Sequence, residues 1–161
     1  KVRLLLTDFL DEWFARYGKD FVAHYPDYYM PAGITLSEDE IGAVSPDTFH
    51  DLFLPELIGL SDRYGGLGMH CCADARHQWP AWKEIPNMRL LNVAQPPMET
   101  QDAYGVFASH TAQMHGWCGD GDPQTWRFPA ASRAVIATGS NSRDEAQRLA
   151  ASLRFSQCQI G

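Results

Sequence analysis

The sequence predicts an α/β protein with a parallel β-sheet, in one domain spanning residues 1–161. Short apolar stretches rich in β-prone residues alternate with longer segments of helical period, as in βα units. Several of the helical segments also carry clear start or stop signals. The length of 161 residues and the hydrophobic fraction of 45% suit one packed domain.

Three helices are indicated by their ends and their apolar spacing. Apolar residues recur at three-to-four spacing over 2–17 and Gly18 follows, which predicts an amphipathic helix whose apolar face must be buried. Ser45-Pro46-Asp47 predicts the start of a second helix, which Pro55 should kink and Gly65-Gly66 should end. Ser142 and Glu145 have capping-box spacing, and the buried stripe of that last helix would be Ala146, Leu149, Ala150 and Leu153.

Five short stretches are predicted strands: 21–25, 67–73, 88–93, 113–118 and 134–137. Weaker helical patterns lie around 75–85 and 100–109, whereas 27–33 is predicted to be a loop. Parallel strands deliver their carboxyl ends to one face, where α/β proteins keep their active sites. The polar, cysteine and histidine residues that follow these strands are therefore candidates for function.

Charge and cysteine content exclude several classes of protein. The net charge is −7 with 13 Lys and Arg, so a nucleic-acid partner is not expected. The apolar runs fall far short of the ~20 residues of a membrane span, and Asp8, Asp11 and Glu12 interrupt any secretory signal. Four cysteines, two of them adjacent, do not resemble a disulfide framework, which favours a cytoplasmic protein.

The segment His70-Cys71-Cys72 raises the question of a metal site. Alternation in a strand places His70 and Cys72 on one face and Cys71 on the other. Free cysteine is also a common core residue, so simple packing of His70 and Cys72 is an equally open interpretation, and Cys71 favours the core.

Other chemistry-bearing residues are less specific. Asp39 and Glu40 are either solvated charges or a functional acidic loop. Aromatic residues in loops, Tyr28, Tyr29, Trp117 and Trp126, could line a pocket or cover a core, whereas Trp79 and Trp82 favour helix packing. His110 and His115 have no motif, and His115 is favoured because it shares a strand end with Cys118.

The run LSEDEIGAVSPDTFHDLFLPELIGLSDRYGGLGMHCCAD resembles the uroporphyrinogen decarboxylase superfamily. The matching pieces are the acidic strand end at Asp39 and Glu40, the Ser45-Pro46-x-x-Phe49 helix with Leu54-Pro55, and the strand ending in His70-x-Cys72. AVIATGSNSRDEAQRLAASL is similar to the last strand, turn and helix of that family. The resemblance implies a parallel (β/α)8 TIM-barrel type of fold, of which this chain covers about the C-terminal half.

A half barrel has open strand edges and an uncovered sheet face, which are hazardous in a soluble monomer. We therefore expect a homo-oligomer or association with the remainder of the barrel, and a stable monomer that unfolds cooperatively would contradict this expectation.

Two chemistries follow from the resemblance. The methyltransferase branch implies a zinc ion that activates a substrate thiol toward a methyl group on a corrinoid partner protein. His70 and Cys72 match two of its ligands; the turn that would supply the third has no thiol, so Cys118 is the candidate. Asp39 and Glu40 would be catalytic residues at the substrate mouth, and Tyr28, Tyr29 and His115 would bind the small-molecule substrate.

The decarboxylase branch, which acts on an acidic tetrapyrrole without a cofactor, is the alternative. Its N-terminal arginines fall outside this chain, and Ser140 follows Gly139 where that branch has a histidine. A catalytically silent fragment or subunit is a third possibility.

Overall fold

A five-stranded parallel sheet forms the centre of the protein. The computed structural model describes residues 2–20, 22–24, 28–30, 32–116, 129, 131–137 and 139–157. The sheet contains β3 (Ile34–Ser37), β4 (Leu67–Cys71), β5 (Met88–Val93), β6 (Ala112–Gly116) and β7 (Ala134–Ala137), in that spatial order. Each strand pairs in parallel with the next one in the sequence, so the predicted α/β class with a parallel sheet is confirmed. Within the described residues the sheet is open, with β3 and β7 at its edges.

The segment before the sheet differs from the prediction. β1 (Val22–His24) and β2 (Tyr28–Met30) form a separate antiparallel hairpin, so the predicted strand at 21–25 does not join the parallel sheet and 27–33 is not wholly a loop. The first parallel strand is instead β3, which the sequence analysis did not identify. Met30 packs with Leu90 and Met114, which places the end of the hairpin over the sheet face that also carries His70.

The opposite face of the sheet holds the main core. Met69 and Leu91 are adjacent in the β4–β5 register and are fully buried. The helices that cover them are α3 (Leu54–Tyr64), α4 (Trp79–Trp82) and α5 (Pro97–Phe107). Trp79 and Trp82 both contact Phe107, with ring centroids 5.8 Å and 6.3 Å away, so their predicted packing role is confirmed. The helical pattern predicted around 75–85 forms a short 3₁₀ helix at Arg76–Gln78 followed by α4.

The second predicted helix is interrupted by a π-helical turn. It begins with α2 (Pro46–Thr48), where the Ser45 hydroxyl accepts the Thr48 N–H at 3.2 Å, and Gly65 ends α3 with a φ of 78°, as predicted. Proline lacks an N–H and its ring clashes with the carbonyl four residues earlier, which in an ordinary α-helix would be that of Asp51. The π-helical turn at Phe49–Phe53 widens the helix just before Pro55 and accommodates this mismatch.

The two terminal helices leave much of their apolar surface exposed. In α1 (Val2–Tyr17), Phe14 is buried, but a stripe of large residues remains exposed: Val2, Leu5, Phe9, Trp13 and Tyr17. At the start of α6 (Arg143–Gln157), the Ser142 half of the predicted capping box forms, since its hydroxyl accepts the Glu145 N–H at 3.2 Å. The Glu145 carboxylate accepts the Asn141 N–H at 2.8 Å instead of the Ser142 N–H.

The prediction of a buried stripe on α6 is wrong in part. Ala146 and Ala150 are exposed and Leu149 is half-buried, whereas the side chain of Leu153 lies outside the described residues. Capping is decided by local hydrogen bonds, but burial requires a neighbouring element to cover the stripe.

Of the described helices, none is long and apolar enough to cross a membrane.

Candidate metal site

The site begins where β3 and β4 end side by side. Ser37 is opposite His70 in this parallel pair, and the Glu38 N–H donates to the His70 carbonyl at 2.9 Å just beyond it. The residues that follow the two strands therefore meet. The Asp39 carboxylate accepts the backbone N–H of Cys72 at 2.7 Å.

Three potential ligand atoms converge here, from Asp39, His70 and Cys72. All three lie within 4.8 Å of one another, and His70 Nε2 is 3.7 Å from Asp39 Oδ1. Zinc bonds of about 2.0–2.3 Å in tetrahedral geometry place ligand atoms roughly 3–4 Å apart, so small side-chain shifts would suffice to bind an ion. A carboxylate oxygen, an imidazole nitrogen and a thiolate are all ordinary zinc ligands, and the set fits this metal.

Asn92 orients the imidazole of His70. It lies opposite His70 on β5, and its Oδ1 is 2.5 Å from His70 Nδ1. Because the Asn92 Nδ2 donates to the Met114 carbonyl at 3.0 Å, its Oδ1 is the acceptor and Nδ1 of His70 carries the proton. The other ring nitrogen, Nε2, then presents its lone pair to Asp39 and Cys72, which is the tautomer a metal requires.

The sequence analysis missed Asn92, although a signal for it existed. It is a polar residue in the otherwise apolar strand end LLNV, and it is only 2% exposed. A buried amide must find hydrogen-bond partners, so it marks a polar contact between neighbouring strands. Gln95, which follows the same strand, donates to the Cys72 carbonyl at 2.5 Å and holds the backbone of the site from its other side.

Negative charge dominates the electrostatics of the site. Burial opposes ionisation of Asp39, but the hydrogen bonds that it accepts from the Cys72 N–H and thiol lower its pKa on balance. The hydrogen bond from the thiol to this carboxylate, together with burial, raises the pKa of Cys72. Burial and the Asp39 charge raise the pKa of Glu38, another residue that sequence analysis missed, to about 7. A cation is the natural complement of this arrangement.

Asp39→Asn is expected to make Cys72 more reactive in metal-free protein. Without the carboxylate charge the pKa of Cys72 falls, so the thiolate fraction at pH 8 rises and alkylation by iodoacetamide accelerates about three- to tenfold. Fragmentation of the peptide that carries both thiols, by tandem mass spectrometry, distinguishes alkylated Cys72 from Cys71, which is buried and has its pKa raised to about 11. Glu40→Gln is the matched control, since it removes one exposed neighbouring charge outside the cluster. Equal acceleration by both variants would contradict the prediction.

The other predicted site residues are not brought into this cluster. Glu40 is exposed beside Asp39, and Cys71 is fully buried in the core, as expected. Tyr28 and Tyr29 belong to β2 and His115 to β6, but their side chains lie outside the described residues. Cys118, Trp117 and Trp126 lie outside them entirely, so Cys118 as a ligand stays a prediction. In the described part of the chain, Asp39 offers a potential third ligand atom beside His70 and Cys72, the role that was expected of Cys118.

The fold and the cluster define an α/β protein with a candidate metal site at the carboxyl ends of parallel strands. No protein-family model, curated protein or solved structure matches the chain in comparisons with known proteins.

Proposed function

We propose that this chain binds zinc through Asp39, His70 and Cys72 and activates a substrate thiol for methyl transfer from a corrinoid partner protein. The convergence of the three ligand atoms within 4.8 Å carries the proposal. The reaction, the corrinoid partner and membership of the uroporphyrinogen decarboxylase superfamily are proposed from the sequence resemblance. In this proposal the chain supplies the C-terminal half of a (β/α)8 barrel in the cytoplasm and works as a homo-oligomer or with the remainder of the barrel.

Each residue of the cluster has a distinct part in the proposed site. His70 is 7% exposed and anchored by Asn92, so it supplies a fixed nitrogen from the interior. Cys72 is exposed, which leaves a side of the cluster open to a substrate from solvent. A bound zinc ion with three protein ligands would hold the substrate sulfur as a thiolate. Asp39 binds both the backbone and the thiol of Cys72, and it contributes the negative charge that favours a cation.

Two simpler interpretations of these residues are less well supported. Packing of His70 and Cys72 would require both side chains to be buried, whereas Cys72 is exposed. A metal-free cysteine nucleophile would need a stabilised thiolate, whereas Asp39 raises the pKa of Cys72. A metal reverses that disadvantage, because it favours the deprotonated sulfur as a ligand.

The first experiment measures zinc in protein purified without chelators, by mass spectrometry of the metal. We expect about one zinc per chain, and at least a hundredfold weaker binding in Cys72→Ser when zinc is competed with a chelator. Cys71→Ala is the matched control: it removes the adjacent thiol from the core side, so it should lower stability and retain zinc. No zinc in the wild type, or equal retention in Cys72→Ser, would overturn the metal site.

The second experiment tests the reaction on the zinc-loaded protein. Methylcobalamin serves as the methyl donor and a simple alkanethiol as the acceptor, and formation of the thioether is measured. We expect transfer that requires both zinc and Cys72. Zinc binding without transfer would overturn the proposed methyltransferase activity of this chain as a homo-oligomer and leave the metal site in place.

A further inference from the structure

We propose that Gly42 and Gln78 are positioning residues that hold the Asp39 carboxylate in the metal site. Asp39 begins a short 3₁₀ helix, Asp39–Ala43, which we call the Asp39 helix. The inference rests on the proposed metal site for its importance, but the contacts that carry it do not involve a metal.

Gly42 allows the Asp39 helix to lie directly against the segment that follows Cys72. A Cβ at position 42 would lie only 2.6 Å from the Cβ of Ala73 and 3.2 Å from the Asp74 carbonyl oxygen. A 3₁₀ helix has three residues per turn, so Asp39 and Gly42 share one side of it. The surface that packs on residues 73–74 is therefore the surface from which Asp39 reaches the Cys72 N–H at 2.7 Å.

Gln78 holds the other end of the same helix. Its side chain is fully buried, and its Nε2 donates to the carbonyl of Val44 at 2.7 Å and to that of Ile41 at 3.3 Å. The Val44 carbonyl also lies 3.0 Å from His77 Nε2, and the Ile41 carbonyl also accepts the Val44 N–H at 3.3 Å, so an apolar side chain at position 78 would leave each carbonyl with one donor fewer. Ile41, also fully buried, fills the space beneath the helix.

The contacts of Gly42 and of Gln78 together fix the position of Asp39, one through the side of the Asp39 helix and the other through its C-terminal end. Gly42 sets how closely the Asp39 helix approaches the backbone after Cys72, and Gln78 prevents it from sliding or unwinding at its far end. A larger residue at position 42 would push the helix outward. Asp39 would then withdraw from Cys72 and His70 while the strands that carry the rest of the cluster stay paired.

The test compares Gly42→Ala with Gly105→Ala as a matched control. Gly105 lies in α5, and a Cβ there meets nothing within 4 Å, so the control adds the same methyl group without a contact. We expect Gly42→Ala to weaken zinc binding about 10- to 100-fold, as loss of a ligand-orienting contact does, with wild-type affinity in Gly105→Ala. Folded Gly42→Ala protein with zinc affinity within about twofold of wild type would overturn the proposal.

A metal-free measurement separates this proposal from the proposed function. Amide hydrogen exchange followed by NMR measures the protection of the Cys72 N–H, which donates a hydrogen bond to the Asp39 carboxylate in the native protein. We expect its protection to fall in Gly42→Ala and in Asp39→Ala, which removes the acceptor, and to persist in Gly105→Ala. Persistent protection in Gly42→Ala would overturn the positioning role even if zinc binds. If the wild type binds no zinc but protection of the Cys72 N–H falls in Gly42→Ala, the positioning role stands and only the metal site is overturned.

Gln78→Met is the second variant, in case Gly42→Ala does not fold. It keeps the volume of the side chain and removes both hydrogen bonds to the Asp39 helix. We expect the same fall in Cys72 amide protection and in zinc affinity. A purely structural role of Gln78 would lower the free energy of unfolding while zinc affinity and Cys72 protection in the folded protein stay unchanged.

Discussion

Asn92→Leu is expected to weaken zinc binding about 10- to 100-fold and to lower the free energy of unfolding by about 1–3 kcal/mol. The substitution removes the acceptor of the buried His70 Nδ1–H and the donor to the Met114 carbonyl. The imidazole then loses both its fixed orientation and its fixed tautomer. Zinc competition with a chelator and urea unfolding of the metal-free protein measure the two effects separately.

Asn92→Asp is the control that separates the effect on zinc affinity from the effect on the free energy of unfolding. A carboxylate still accepts the His70 Nδ1–H, and a carboxylate–histidine pair is a common support for a zinc ligand. It cannot donate to the Met114 carbonyl, so stability should fall while zinc affinity stays within about threefold of wild type. Unchanged zinc affinity in Asn92→Leu would show that the orientation of His70 does not matter for the site.

Gly33→Ala is expected to cost about 3 kcal/mol or more of unfolding free energy. Gly33 has a φ of +93°, in the left-handed region, and a Cβ there would lie 2.5 Å from the Gly66 carbonyl oxygen. That oxygen accepts the Ile34 N–H at 3.1 Å, where β3 begins to pair with β4. Backbone strain of about 1–2 kcal/mol and overpacking of about 1–3 kcal/mol therefore both lower the free energy of unfolding of Gly33→Ala.

Gly18→Ala separates the cost of backbone strain from the cost of the steric clash. Gly18 has a similar φ of +85°, but a Cβ there meets nothing within 4 Å. We expect a loss of only about 1–2 kcal/mol, measured by urea unfolding with circular dichroism as for Gly33→Ala. Equal losses in the two variants would contradict the close approach of the backbones at Gly33 and Gly66.

The elements that sequence predicted best are those decided by local chemistry. The strands at 88–93 and 134–137 have the predicted ends, and the caps at Ser45, Gly65 and Ser142 all form. What sequence could not decide was pairing at a distance. Nothing local indicates that residues 22–24 fold back on 28–30 instead of joining the parallel sheet, or that the short run Ile34–Ser37 is its first strand.

The same distinction applies to the candidate site. Period-two alternation correctly grouped His70 with Cys72 and turned Cys71 toward the core. Asp39 was noted as an acidic residue at a strand end, but its contact with Cys72 depends on the pairing of β3 with β4 and on the packing of Gly42. Asn92 had a signal in the sequence as a polar residue in an apolar strand end, but its partner, His70, is identified only by the register that places the two residues opposite each other.

The order of strands in the sheet has a consequence for how the protein forms during synthesis. Every strand from β3 to β7 pairs with its immediate neighbour in the sequence, so each new strand leaving the ribosome meets an edge that is already present. Asp39, His70, Cys72 and Asn92 all belong to the first three of these strands or the residues just after them. The candidate ligand cluster can therefore be assembled before β7 and α6 have been translated, whereas the Met114 carbonyl that fixes the Asn92 amide is supplied by β6.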